Sequence, residues 1–332
     1  MAPVPVILDV DTGIDDALAL LYACASPEAE LVAATCVMGN VTTAQAVRNT
    51  LSVLELVGRT DVEVAAGAER PLARDHTPFP VVHGEGGLGR ADLPPPSAAA
   101  STRPAVRTIV ETVRERPGQV LLVATGPLTN VALALREEPE LPRLLAGLVL
   151  MGGAFDHAGN VTPAAEANVW VDPEAAQAVF AAFAGAPEDA LPICIGLDVT
   201  ERVVMSKDDV DRVCEPAPDA PLARFLHDAV DFYIDFYAAY GRVDGASMHD
   251  PLAVAAALDP TLVELHATRV EVETGGRWTL GATVADLSGV RRSPWSGGWE
   301  PDENARVALG VDEAAFGLRL CERLRSLVAA TS

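Results

Sequence analysis

The stretch Ile7–Leu20, ILDVDTGIDDALAL, carries the reading of the whole chain. An apolar run of strand length, Val4–Val10, leads through Asp9 to Asp11, and Thr12-Gly13 makes a turn. Asp15 and Asp16 then open a segment of helical period over Asp15–Cys24. Residues two apart on a strand share one face, so the spacing predicts Asp9 and Asp11 side by side. The run therefore places four carboxylates at the carboxyl end of a strand, where open α/β sheets bind ligands. A helix start favours an aspartate as a cap, which accounts for one of the four. Carboxylates left unneutralised at contact distance repel and raise each other's pKa. A bound cation relieves that, and an all-oxygen donor set favours a hard ion, Ca²⁺ or Mg²⁺, over zinc.

Outward from this stretch, continuously apolar runs alternate with helical periods. Leu31–Met38 is followed by Thr42–Val57, then by Val62–Ala66 and Ala105–Arg116. Gln119–Ala124 precedes Leu128–Arg136, Leu148–Met151 precedes Pro173–Phe183, and Leu191–Leu197 closes the series. Such strands, separated by helices, predict an open, mostly parallel (mixed) Rossmann-like sheet covered on both faces. The remainder reads as helices over Leu222–Tyr240 and Pro251–Leu258, strands over Leu262–Glu273 and Thr279–Ala285, and a last amphipathic helix over Glu313–Ala329. Two irregular stretches, Arg70–Arg103 with its GEGGLG and Ser288–Asn304 with Trp295 and Trp299, read as lids or binding loops rather than interdomain linkers, the second alternatively as a subunit contact. No repeat divides the chain, which reads as a single domain over residues 1–332.

Composition narrows the partners. The 332 residues hold 24 Lys+Arg against 47 Asp+Glu, a net charge of −23. Such a field repels phosphate backbones and anionic lipid, so neither nucleic acid nor a membrane surface is expected as a partner. Lys207 is the only lysine, which removes most lysine chemistry. The five cysteines lack zinc-ligand spacing; Cys24, Cys36 and Cys194 fall in apolar runs and read as reduced core thiols. With no basic segment or cleavage pattern ahead of VPVILDV, and no apolar run of about 20 residues, a cytoplasmic protein is expected.

Polar residues recur at other strand ends. Asn40 ends the second strand, Thr125 and Gly126 follow LLVA, and one loop carries Asn160, Glu166 and Asn168. His249 and Asp250 open a helix in MHDPLAVA. Convergence of such groups predicts one ligand site. An apolar strand ending in DxD also opens phosphatases of the haloacid dehalogenase type. Here the order is Thr12-Gly13, and Lys207 sits where Ser206 caps a helix with Asp209 three residues on, so that reading is weak.

Together DVDTGIDDALAL, HGEGGLG, ATGPLTNVALAL, MGGAF, GNVTPAAEANVWVDPEAA, GLDVT and MHDPLAVA resemble the inosine–uridine-preferring nucleoside hydrolases in content and order, over nearly the whole chain. The resemblance implies the nucleoside hydrolase fold with its site at the carboxyl ends of the strands. It implies one Ca²⁺ per subunit, binding the attacking water and the ribose 2′- and 3′-hydroxyls. Its protein ligands would be Asp11, Asp16, the carbonyl of Thr125 and Asp250. Asp11 corresponds to the general base and His249 to the acid that assists the leaving base. Asp15 matches the 2′-hydroxyl ligand and Asn168 a further ribose ligand, while Asn160 and Glu166 match those gripping the 5′-hydroxyl. Asn40 would stand near the ribose, and His83 in the loop that closes over the base. A ribonucleoside substrate of broad or inosine/uridine type and a homodimer or homotetramer follow from the same resemblance.

Blander roles are expected elsewhere. Asp9 reads as a partner orienting the acidic turn, and Asp198 as structural. Phe155, Trp170, Tyr233 and Tyr237 are candidates for stacking on the base, but helical spacing favours packing for them. His76, His157, His227 and His266 carry no assigned role.

Overall fold

The computed structural model describes residues 2–241, 245–293 and 299–331. The chain alternates from the start: β1 (Val4–Val10), α1 (Ile14–Cys24), β2 (Ala29–Cys36), α2 (Thr43–Leu56), β3 (Glu63–Ala66) and the single turn α3 (Pro80–His83). Then come α4 (Ala105–Glu115), β4 (Leu121–Ala124), α5 (Thr129–Glu137), α6 (Leu141–Leu144), β5 (Gly147–Met151), α7 (Ala167–Val171), α8 (Pro173–Ala182) and β6 (Ile193–Ile195). The second half adds α9 (Leu197–Thr200), β7 (Val204–Met205), α10 (Lys207–Cys214), α11 (Pro221–Ala239), β8 (Ala246–Ser247) and α12 (His249–Leu258). It ends with β9 (Val263–Thr268), β10 (Val270–Val272), β11 (Thr283–Ala285), β12 (Ala305–Val311) and α13 (Glu313–Ala330).

Eight strands form the central sheet in the order β3-β2-β1-β4-β5-β6-β12-β9. All neighbours run parallel except β9, which pairs antiparallel with β12, so the expected mixed, mostly parallel sheet is what the chain forms. Alternation along β1 shows why its strands read as continuously apolar. Val6, Leu8 and Val10 pack into a core with α1, α11 and α12, while Ile7 faces a second core under α4, α5 and α8. A strand buried on both faces has no polar side to display.

The winding decides where a ligand sits. From β1 the chain moves outward through β2 and β3, then returns so that β4 pairs with the other edge of β1. Adjacent crossovers therefore diverge between β1 and β4, and a crevice opens at their carboxyl ends.

Three expectations change. The stretch Leu262–Glu273 is not one strand: it breaks at Arg269 into β9, in the main sheet, and β10, paired with β11 in a separate hairpin. Asn304 makes the break possible, because its side chain accepts from Val270 N at 2.7 Å and donates to Val270 O at 2.9 Å, standing in for a neighbouring strand. The strand β12 follows the irregular segment that ends at Asn304, in residues to which the sequence reading assigns no element. Its buried positions, Ala305, Val307, Ala308 and Gly310, are interrupted by Arg306 and include a glycine, so the apolar pattern is too weak to announce a strand. Cys24 is half-buried, not core, whereas Cys36 and Cys194 are buried as expected. Trp295 lies outside the described residues. Among the described residues, no helix is long and apolar enough to cross a membrane.

Candidate active site

Strand geometry ends at Val10, and that separates the first two aspartates. Asp9 follows Ile7 toward α5, where Oδ1 accepts from Thr35 Oγ1 at 2.5 Å and from Asn130 Nδ2 at 2.8 Å. It thus supports the turn from below, and burial pushes its pKa up to about 7. Asp11 lies past the strand instead, between Gly39 and Gly126. A Cβ on Gly39 would stand 2.0 Å from Asp11 Oδ2, and one on Gly126 3.0 Å from Oδ1, so both positions need glycine for space. Asn40 N donates to Asp11 Oδ2 at 2.6 Å, while Oδ1 is buried without a partner. Asp9 and Asp11 are therefore not the side-by-side pair that their spacing predicts.

Asp16 combines the bland and the functional readings. Its Oδ2 accepts from Gly13 N at 2.8 Å, which caps α1, and from Asn40 Nδ2 at 3.3 Å. Its Oδ1 accepts from Thr125 Oγ1 at 2.8 Å and from Asp11 N at 3.3 Å. Asp15, Asp16 and Asp250 each offer an oxygen within 4.8 Å of the others, all three buried. Asp250 reaches them from the first turn of α12, which packs against α1. Asp11 stands outside this triad but within its field: burial, then the Asp16 charge, raises its pKa well above the ordinary value. Burial and Asp16 likewise push Asp15 to about 8, and burial with Asp15, Asp16, Asp11 and Glu166 raises Asp250.

These groups satisfy the chemistry of a hard divalent cation. The donors are all oxygen, and Oδ1 of both Asp11 and Asp15 is buried with no hydrogen bond. Buried, unpartnered carboxylate oxygens are costly, and positive charge at their centre removes the cost.

A cavity of about 560 Å³ opens above the cluster. Asp15 and the candidates Asn40, His83, Thr125, Asn160, Glu166, Asn168, His249 and Asp250 line it. Asp9, Asp11 and Asp16 are not among its lining residues. Glu166 caps the short helix α7: Oε1 accepts from Asn168 N at 2.8 Å, and Oε2 from Gly153 N at 3.0 Å and Val169 N at 3.1 Å. Asn160 Oδ1 accepts from Ala167 N at 3.0 Å and so fixes the same turn. Asn168 turns its amide inward, donating to the carbonyl of Thr125 at 2.7 Å.

The two histidines differ. His83 is buried, and its Nδ1 accepts from Ile14 N–H at 3.2 Å. Burial and the neighbouring His249 push its pKa down to about 3, so it is neutral with its proton on Nε2. His249 has both nitrogens engaged, Nε2 with Tyr237 Oη and Nδ1 with Thr200 Oγ1, each at 2.7 Å.

Two of the four candidate aromatics reach the cavity. Tyr233 donates to Asp15 Oδ2 at 3.3 Å, Tyr237 bonds His249, and Phe236 and Tyr240 continue the same wall. Packing was the favoured expectation for Tyr233 and Tyr237; the i, i+4 spacing with two polar tips was the signal for a wall. Phe155 and Trp170 do not line the cavity. Thr200, in GLDVT, holds His249 although a threonine inside a short turn carries no sequence pattern of its own. Asp198 is structural as expected, accepting from the amides of Phe155 and Asp156 at 3.0 and 2.6 Å.

A carboxylate cluster under a cavity of amides and aromatic rings, at the switch point of a doubly wound sheet, defines an α/β enzyme acting on a small polar ligand. The chain belongs to the inosine–uridine preferring nucleoside hydrolase family, which it matches over residues 6–317. It is 42% identical over 323 residues, covering 96% of this chain and 97% of the relative, to the pyrimidine-specific ribonucleoside hydrolase RihA of Citrobacter koseri. It is 37% identical over 322 residues to the probable uridine nucleosidase 2 of Arabidopsis thaliana, covering 96% of this chain and 97% of that one. Among solved structures it superposes on the purine-preferring ribonucleoside hydrolase from Gardnerella vaginalis with a TM-score of 0.89 at 36% identity, covering 98% of this chain and 99% of that one. The chain is therefore a ribonucleoside hydrolase, an N-ribosyl hydrolase.

Proposed function

We propose that this protein hydrolyses the N-glycosidic bond of ribonucleosides in a Ca²⁺-dependent reaction, releasing free base and ribose, with residues 1–332 acting as one catalytic domain. The observation that carries this reading is the buried Asp15–Asp16–Asp250 triad beside the unpartnered Oδ1 of Asp11, at the cavity that Asp15 and Asp250 line. Asp11, Asp16, Asp250 and the carbonyl of Thr125 would hold the ion. Bound there, Ca²⁺ supplies Lewis acidity, easing deprotonation of a water and gathering the ribose hydroxyls.

The chain's own groups do the rest. Asp11 Oδ1 takes the proton from the attacking water as general base. Asp15 and Asn168 orient the ribose, Asn160 and Glu166 grip its 5′-hydroxyl, and Asn40 borders the ring. The ensemble of carboxylates favours the positive charge that develops on the sugar as the bond to the base breaks. His249, hydrogen-bonded to Tyr237, supplies a proton on the side where the base departs. His83, neutral and with its N–H on Nε2, offers that base a hydrogen bond. A 5′-phosphate would meet the Glu166 carboxylate, so nucleosides are favoured over nucleotides.

A binding protein without turnover is not favoured, because Asp11 and His249 are both in place and the relatives are named as hydrolases. Inosine and uridine are the proposed substrates, in a cytoplasmic homodimer or homotetramer. The test is ribose release from inosine, uridine, cytidine, adenosine and guanosine, with and without a Ca²⁺ chelator. Chelator-sensitive release from inosine or uridine is expected. Release confined to adenosine and guanosine would overturn the specificity, and release unaffected by chelator would overturn the ion.

A further inference from the structure

We propose that Asn168 is a positioning residue for the cation, fixing the direction of the Thr125 carbonyl; this rests on the Ca²⁺ site proposed above. The Nδ2 of Asn168 donates to Thr125 O at 2.7 Å and to Met151 O at 3.1 Å. Thr125 follows the end of β4 and Met151 is the last residue of β5; the two neighbouring parallel strands make their last mutual pair at Ala124 and Leu150. One amide therefore clips together two strand ends just beyond their last mutual pair.

The orientation of this amide follows from its partners. Turned over, Asn168 would set Oδ1 against two carbonyl oxygens, three acceptors with no proton between them. Nδ2 must face inward, and Oδ1 is left as the atom available to a ligand hydroxyl. The residue is itself held, since its own N–H donates to Glu166 Oε1 at 2.8 Å.

Thr125 is restrained on every other side. Its N–H donates to Asp9 O at 2.8 Å, and its Oγ1 to Asp16 Oδ1 at 2.8 Å. Asn168 supplies the remaining constraint, on the carbonyl. A carbonyl oxygen has two lone pairs; Asn168 occupies one, leaving the second for the ion. Groups that orient the ligands of a metal in this way commonly change its affinity by 10–100-fold when removed.

The experiment is Ca²⁺ titration of chelator-stripped protein by calorimetry with no nucleoside present, so that any ribose contact of Asn168 does not enter. Wild type, Asn168→Ala and Asp16→Asn are compared, together with the rise in Tm that Ca²⁺ produces in each. We expect Asn168→Ala to raise the Ca²⁺ Kd by about tenfold or more and to shrink the Ca²⁺-dependent rise in Tm. A purely structural role lowers Tm equally with and without Ca²⁺ and leaves the Kd alone. An Asn168→Ala Kd within about twofold of wild type, while Asp16→Asn loses binding, overturns the role of Asn168 and spares the site. Absence of binding in wild type overturns the site itself. Should Asn168→Ala fail to fold, Asn168→Ser is read by the same criterion.

Discussion

At Asp11 the single residue does two things that usually conflict. It is buried, and one of its oxygens has no partner. That combination is unfavourable without a cation, and it suits a carboxylate that would hold an ion and take a proton from the water beside it. Asp11→Asn keeps the shape and removes the basicity. We expect kcat to fall at least about 10²-fold with an unchanged circular dichroism spectrum; turnover near wild type would remove Asp11 from the mechanism. Tyr237 tests the other side of the bond. Its hydroxyl sits 2.7 Å from His249 Nε2, so Tyr237→Phe disturbs the proposed proton donor while keeping the ring. A fall of roughly tenfold or more in kcat with little change in KM is expected from steady-state kinetics on uridine or inosine. A raised KM with kcat unchanged would make Tyr237 a binding wall only.

At the scale of elements, short contacts hold the frame on which those residues stand. Ser206 and Asp209 cap α10 reciprocally, Ser206 Oγ accepting from Asp209 N at 3.2 Å and Asp209 Oδ2 from Ser206 N at 2.9 Å. This is the pairing expected from MSKDD, and it shows Lys207 to be a residue in the first turn of α10, paired with Asp235 on the surface. At the edge of the sheet, Arg103 grips Glu63 on β3 and Glu111 on α4. The Arg103 hydrogen bonds hold the Glu63 pKa below 4.5, its ordinary value. A carboxylate whose folded pKa is lowered adds stability above the unfolded pKa and loses it as pH falls through the folded one. Glu63→Gln should therefore be less stable than wild type at pH 6 and equal to it near pH 3, by at most about 1 kcal/mol because the pair is partly exposed. Urea unfolding at the two pH values measures this; a gap that persists at acid pH would assign the difference to packing.

Across the whole molecule, an ion held by the acidic cluster would couple to folding. The turn after β1, the end of β4 and the start of α12 meet there, from positions 11–16, 125 and 250 of the chain. A cation that binds the folded state alone stabilises it by about 2.7 kcal/mol at a free concentration of 100 Kd. Chelator should lower Tm by a few degrees and Ca²⁺ should restore it; a Tm indifferent to both would mean that the cluster stands without an ion.

Alternation of apolar runs with helical periods sufficed for the sheet, because strands buried on both faces and crossover helices leave different periods in the chain. The acidic turn was equally legible, since its four carboxylates are local and their repulsion needs no tertiary knowledge. What the sequence alone determined, then, is the α/β class, the place of the site at the strand ends, and the hard-ion chemistry of its donors. Only the tertiary structure separated Asp9 from Asp11, because the strand stops at Val10 and side-chain direction beyond it is set by Gly39 and Gly126. Only it brought Tyr233 and Tyr237 from 218 and 12 residues away onto Asp15 and His249, and turned the Asn168 amide toward Thr125. Those are contacts between groups distant along the chain, and local pattern carries no record of which of them will meet.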